Sequence, residues 1–150
     1  MITYKQGDLL TDNAHVLVNT VNTVGVMGKG IALAFKNAFP HNYAVYREAC
    51  RSGELRVGIL LSVPDSNLLW GAKVIVNFPT KTHWRLPSEY SYVKDGLVAL
   101  RQWLLSNKPA SIALPALGCG NGGLEWLRVK AMIEQYLTDL PLAISVYLPT

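Results

Sequence analysis

The chain has 150 residues, half of them hydrophobic and 16% charged, with a formal net charge of +4. That length fits one domain, and the apolar content supplies a core, which excludes a disordered chain. No apolar run approaches the roughly 20 residues of a membrane span, and no membrane association is expected. Met1–Gln6 has no basic-then-apolar signal pattern. Two cysteines, Cys50 and Cys119, make neither a disulfide scaffold nor a zinc-spaced cluster, so no metal is expected and a reduced, cytoplasmic compartment is the simplest reading. The mildly basic balance suits a polyanionic ligand, a nucleotide or a nucleic-acid end, without the Lys/Arg run of a dedicated DNA binder.

In chain order, residues 2–6 read as a short strand and Gly7-Asp8-Leu9-Leu10 as a turn. Residues 14–21 read as a buried strand centred on Val16, Leu17 and Val18. Residues 31–39 have helical spacing, and Pro40 stops them. A second helix is predicted over 41–51. Residues 59–63 and 74–78 are β-rich, with 79–85 a loop. A long helix follows Ser88 over about 89–106, then a strand over 111–117, a helix over 124–140 and a last strand over 143–148. Short strands, apolar on both faces and alternating with helices, predict an α/β sandwich with a mainly parallel sheet.

Two Gly-rich segments carry the functional signal. Val21–Gly30 ends a strand and opens a helix, where glycine lets backbone approach a ligand and the free N–H groups favour an anion. A Walker loop would need a glycine at Thr23 and Ser or Thr after Lys29. A dinucleotide fingerprint would need a glycine at Leu33 and an acid about 20 residues on. Both fail. Gly118–Gly123 repeats the design with four glycines in six positions, more than a plain turn requires. Both loops belong at the carboxyl edge of one sheet, where ligands of open α/β sheets bind, so a diphosphate cradle is expected.

These residues resemble the macrodomains, a family that binds ADP-ribose, over essentially the whole chain. The resemblance implies a three-layer α/β/α sandwich with a mixed, mainly parallel sheet. It implies adenine recognition by Asp8 with Leu9. It places Asn19, Thr23, Val26, Met27, Gly28 and Gly30 in a first substrate loop beside the distal ribose, with Pro79 and Thr80 near it. Leu117, Gly118, Cys119, Gly120, Asn121 and Gly122 fall in a second loop around the diphosphate. Asn19–Gly30 and the stretch Phe78-Pro79-Thr80-Lys81-Thr82-His83-Trp84-Arg85 are very similar to the DarG-type branch, bacterial antitoxins that remove ADP-ribose from thymidine bases in DNA. The branch is related to glycohydrolases that act on modified glutamate and share a catalytic lysine.

The resemblance therefore implies hydrolysis of an ADP-ribosyl–thymine bond on single-stranded DNA, with no cofactor. The implied partners are ADP-ribose, ADP-ribosylated DNA and a cognate DNA ADP-ribosyltransferase toxin. Protein-directed relatives carry an aspartate where this chain has Gly122, and the DNA-directed branch lacks it, so the departure favours DNA. Complete antitoxins carry a further C-terminal region, and a chain ending at Thr150 is expected to be a trimmed piece or a stand-alone relative. The rival readings are a binding module without catalysis, an enzyme for modified protein or ADP-ribose 1″-phosphate, and a holder of the toxin.

Lys81 and Asn22 are the expected catalytic pair. A lysine near the anomeric carbon attacks as a desolvated neutral amine or stays charged and stabilises the departing base or the diphosphate. The ordinary reading of Lys81 is a solvated surface side chain. Asn22 holds ribose hydroxyls, positions Lys81 or simply forms a turn. Asn19 reads as structural, and Asp8 alternatively as a turn cap. His83 is an acid–base group or a loop-bonding residue. Trp84 stacks on a base or packs half-buried, and Arg85 and Lys29 meet DNA phosphates or solvent. Cys119 reads as a small residue under the diphosphate, and Glu125 only as a helix-opening carboxylate.

Overall fold

The computed structural model describes residues Met1–Thr150. Six strands form one sheet: β1 (Ile2–Lys5), β2 (Val16–Asn22), β3 (Leu61–Asn67), β4 (Gly71–Lys81), β5 (Ser111–Leu114) and β6 (Ala143–Tyr147). Their order is β1-β6-β5-β2-β4-β3. Every neighbouring pair is parallel except the β3–β4 hairpin. The helices are α1 (Gly30–Ala38), α2 (Pro40–Arg51), α3 (Tyr90–Asn107) and α4 (Trp126–Leu137). Pro40 ends α1 and fills the first turn of α2, where its missing N–H costs nothing.

Strand alternation sends Val16, Val18, Val76, Phe78, Ile112 and Ile144 to one face of the sheet. There they pack against Val93, Leu97 and Leu100 of α3 and Val129, Ile133 and Leu137 of α4. Leu17, Ile75 and Ala113 point to the other face, under Phe35 and Phe39. This is the expected three-layer α/β/α sandwich. No helix is long and apolar enough to cross a membrane.

Several boundaries differ from the sequence reading. β4 runs through Pro79, Thr80 and Lys81, which the sequence placed in a loop. A proline lacks the N–H a central strand needs. Here, however, β3 pairs with β4 only as far as Asn77, so beyond it β4 has β2 alone as neighbour. The β2–β4 register slips between Val21 and Asn22, which sets Val21 against Pro79 and Asn22 against Lys81. β3 begins at Leu61, later than expected, and contains Pro64, tolerated because the strand is an edge. It is also half-exposed, as is β1, so the edge strands are not apolar on both faces. β5 ends at Leu114, and α4 starts at Trp126, two residues after Leu124.

Gly96 explains itself by packing. It sits inside α3, and a methyl group there would overlap the ring of Phe78, three residues before Lys81. Gly96→Ala is expected to destabilise by about 1–3 kcal/mol, although alanine is the better helix former. A thermal melt that rises would contradict this packing.

Asp12 is a second tie that sequence reasoning missed. Its buried carboxylate accepts from the Ala14 N–H (2.8 Å), Lys5 Nζ (3.2 Å) and Tyr147 Oη (2.7 Å). Buried Lys73 clamps the same turn, donating to the Asp12 and Ala14 carbonyls. Burial opposes ionisation of Asp12, but the bonds from Tyr147, Ala14 and Lys5 outweigh it and hold the carboxyl below its ordinary value of 3.8. Its contribution is therefore present at neutral pH and lost as pH falls through that lowered value. Asp12→Asn is expected to lower the melting temperature at pH 7 and narrow its gap to wild type at pH 3. A gap that widens in acid would contradict the assignment.

Candidate functional site

The C-terminal ends of the parallel strands β1, β6, β5, β2 and β4 open onto one cleft of about 910 Å³. From β1 to β4 is four strand spacings, about 19 Å, so an occupant touching both ends is elongated. At the β1 end, Asp8 Oδ1 accepts from the Leu10 N–H (3.0 Å) and caps the short 3-10 turn Leu9–Thr11. Asp8 Oδ2 has no hydrogen-bond partner within the chain, and Asp8 is the only side-chain carboxylate lining the cleft.

The two Gly loops meet in the middle because β2 and β5 are neighbours. A Cβ at Gly30 would lie 3.4 Å from Asn121 Nδ2. Lys29 precedes α1 without a side-chain cap, and Gly30, Ile31 and Ala32 line the cleft. Their N–H groups have no intrahelical acceptor, which suits an anion. In the second loop Gly118, at φ +72°, lies so close to Leu124 that a Cβ would meet it at 2.6 Å. At Gly122 a Cβ would overlap Ser88 Oγ, and the Ser88 N–H donates to the Gly122 carbonyl (3.0 Å). The segment after β4 thus closes the space that a side chain at 122 would occupy.

Asn22 builds the first loop. Its Oδ1 accepts from the N–H groups of Val24 (3.1 Å) and Val26 (3.3 Å) and from Tyr46 Oη (3.0 Å), while its Nδ2 donates to the Val26 carbonyl (2.7 Å). Tyr46 Oη also lies 2.8 Å from the Asn22 carbonyl, so α2 pins the loop from below. Lys81 enters the cleft beside Asn22, its Nζ donating to the Trp84 carbonyl (3.3 Å). Burial, and then the charge of Lys29, push its ammonium below the usual lysine range.

Of the other expected residues, Leu9, Val26, Gly28, Thr80, Gly118, Cys119, Gly120, Asn121 and Gly122 line the cleft with Lys29 and Trp84. Asn19, Thr23, Met27, Pro79 and Leu117 do not. Asn19 and Met27 are buried against each other (Nδ2 to Sδ 3.8 Å), and Leu117 belongs to the core. Pro79 is buried in β4, and Thr23 Oγ1 donates to the Thr82 carbonyl (3.0 Å), tying the first loop to the chain after Lys81. Burial raises the Cys119 thiol, which leaves it a poor nucleophile. His83 and Arg85 stand beside the cleft. His83 Nδ1 accepts from the Arg85 N–H (3.1 Å), its ring stacks on Trp84 at 5.4 Å, and the Arg85 guanidinium lies 4.6 Å from the Trp84 ring centre. Sequence reasoning missed Tyr147–Thr150, which close the Asp8 end of the cleft. Their position at and just after the end of the final strand, on the same edge as the Gly loops, was their one available signal.

Compared with known protein families, residues 18–133 match the Macro domain. The chain belongs to the macrodomain family. It is 47% identical over 149 residues to the DNA ADP-ribosyl glycohydrolase of Mycobacterium tuberculosis, covering 99% of this chain and 42% of that protein. Over 140 residues it is 49% identical to the Thermus aquaticus protein of the same name, covering 93% and 39%. The chain thus spans about two fifths of the length of these relatives. Among solved structures it is similar to the macrodomain of Mycobacterium tuberculosis DarG (TM-score 0.95, 46% identity, 100% of this chain and 99% of that one). It is also similar to Thermosipho africanus DarTG in complex with ADP-ribose (TM-score 0.92, 36% identity, 99% of this chain and 41% of that one).

In the macrodomain cleft the charge of Lys29 adds to burial in lowering the basicity of Lys81. Lys29→Gln removes one of the two causes that depress the Lys81 ammonium, so its titration is expected to move to higher pH, whereas Lys29→Arg leaves it in place. Amine-selective labelling of Lys81 against pH, read by mass spectrometry, measures this. An unmoved titration in Lys29→Gln would remove the coupling.

Proposed function

We propose that this macrodomain hydrolyses the bond between ADP-ribose and a thymine base in single-stranded DNA, undoing ADP-ribosylation as an antitoxin to a DNA ADP-ribosyltransferase. The observation that carries the reading is Lys81, set by the end of β4 next to Asn22 in a cleft whose only side-chain carboxylate, Asp8, lies at the opposite end. A pair of carboxylates flanking the scissile bond, the usual glycosidase device, is not available at Lys81. Residue similarity to DNA ADP-ribosyl glycohydrolases along nearly the whole chain supports the same substrate.

In this reading Asp8 receives the adenine, the Gly loops and the open turn of α1 hold the diphosphate, and the distal ribose lies over Asn22. Asn22 is a positioning residue, because both of its polar groups shape the loop. Lys81 acts from its neutral amine form, which burial and the charge of Lys29 favour. Its nitrogen bonds to the anomeric carbon as the bond from that carbon to the base nitrogen breaks. The electron pair leaves with the base, which takes up the proton released by the new ammonium. Water then cleaves the lysine adduct, freeing ADP-ribose and restoring the amine. His83, Trp84 and Arg85 form a stacked shelf at the rim, suited to a base and its phosphates.

The test is release of ADP-ribose from an ADP-ribosylated oligonucleotide. Lys81→Ala is expected to lose roughly a hundredfold or more in rate while binding free ADP-ribose as wild type does in calorimetry. Undiminished release by the variant would remove Lys81 from the mechanism. Binding without release by the wild type would leave a reader of ADP-ribose.

A further inference from the structure

Outside the cleft, the basic residues are not scattered evenly. Tyr43, Arg47 and Arg51 recur every four residues along the exposed side of α2, one stripe about 12 Å long. Lys36 of α1 extends over the Tyr43 ring at 4.7 Å. Tyr43, Ala44, Arg47, Glu48 and Arg51 line a shallow depression of about 490 Å³. Arg51 is held by Glu48, with nitrogen–oxygen distances of 2.8 and 2.6 Å. Lys36 and Arg47 have no carboxylate within salt-bridge distance. Neither charge is neutralised by an ion pair.

The stripe is continuous with the cleft mouth. A Cβ at Gly25 would lie 3.8 Å from Arg47 Cγ and 3.6 Å from Cys50 Cβ. Gly25 sits between Val24 and Val26, both exposed on the first loop, and Val26 lines the cleft. A polymer whose modified unit occupies the Lys81 end therefore has this surface directly beside its exit. Cations gathered around a half-buried aromatic ring suit a flexible chain of phosphates. A rigid duplex would need a longer, uniform array of cations.

We infer that Lys36, Tyr43 and Arg47 form a track for the single-stranded nucleic acid flanking the modified base, with phosphates on the two cations and Tyr43 holding Lys36 in place between them. This rests on the proposed substrate but adds a second contact surface, separate from the ADP-ribose cleft. It makes affinity depend on the length of the strand, and it adds salt-dependent contacts that free ADP-ribose cannot use.

The test reads binding, so it does not depend on turnover. Anisotropy of a labelled single-stranded oligonucleotide carrying ADP-ribose on one thymine is measured against salt in the Lys81→Ala background, which leaves the modification on the strand, with and without Lys36→Ala/Arg47→Ala, and calorimetry measures free ADP-ribose. The side chains are on the surface, and equal melting temperatures verify folding. The double variant is expected to bind the oligonucleotide about tenfold more weakly at low salt. Its log–log salt slope should be shallower by about 1.4, two single-strand phosphate contacts, with ADP-ribose affinity unchanged. Unaltered oligonucleotide affinity and slope would overturn the track. Equal losses for oligonucleotide and free ADP-ribose would also overturn it, since the effect would then belong to the cleft. If the Lys81→Ala protein with Lys36 and Arg47 intact binds the oligonucleotide no better than ADP-ribose, the track is likewise refuted, whereas failure of the hydrolytic reading appears separately, as binding without release by the wild type.

Discussion

β2 and β4 run side by side in parallel, pair by pair from Val16–Val74 to Val21–Pro79, and then slip by one residue so that Asn22 meets Lys81. Everything at the distal end of the cleft depends on that slip. Pro79 has no N–H to give, and a bulge both absorbs this and re-aims the side chains that follow. Without it Lys81 would leave the strand one position out of step with Asn22, and alternation would turn it towards the opposite face. Phe78, locked against Gly96 in α3, fixes the strand just before the slip. Tyr46 fixes the partner loop through Asn22. The lysine is thus carried by a packed strand end, with the loop it faces held by the buried Tyr46 of α2.

The cleft sorts charge along its length. A single side-chain carboxylate stands at the β1 end, an uncapped helix turn and glycine backbone occupy the middle, and two lysines stand towards β4. An elongated ligand with a polar heterocycle at one end and a diphosphate in its middle follows the same order. The lysines repel one another, and the lost hydration of Lys81 adds to the effect. An anion bound near them would relieve that repulsion and favour the charged form of Lys81.

Much of this was legible in the sequence because it rests on local signals. Alternating β and helical periodicities gave the layers, and glycine clusters after apolar runs marked both loops. What stayed hidden depends on distant pairings. Pro79 reads as a loop residue unless the shortness of β3 is known. Asn22 reads as a turn or ligand residue until Tyr46, 24 positions away, is seen beneath it. The Asp12 clamp joins β1 and β6 across 135 positions, and no motif announces it. Five expected contact residues, Asn19, Thr23, Met27, Pro79 and Leu117, proved to support the cleft without lining it. A motif marks a segment, and alternation of its side chains then divides wall from foundation. Gly122 carries a physical reason beyond family comparison, since Ser88 fills the place of its absent side chain.

The central claim is that one elongated ligand spans the cleft and brings its anomeric carbon to Lys81. A crystal structure with ADP-ribose measures this directly. The account requires the adenine at Asp8 Oδ2, the diphosphate against Gly30 and the second loop, and Lys81 Nζ about 3–3.5 Å from the anomeric carbon. A ligand bound in the reverse sense, or an anomeric carbon too far from Lys81 Nζ for even one bridging water, would contradict it.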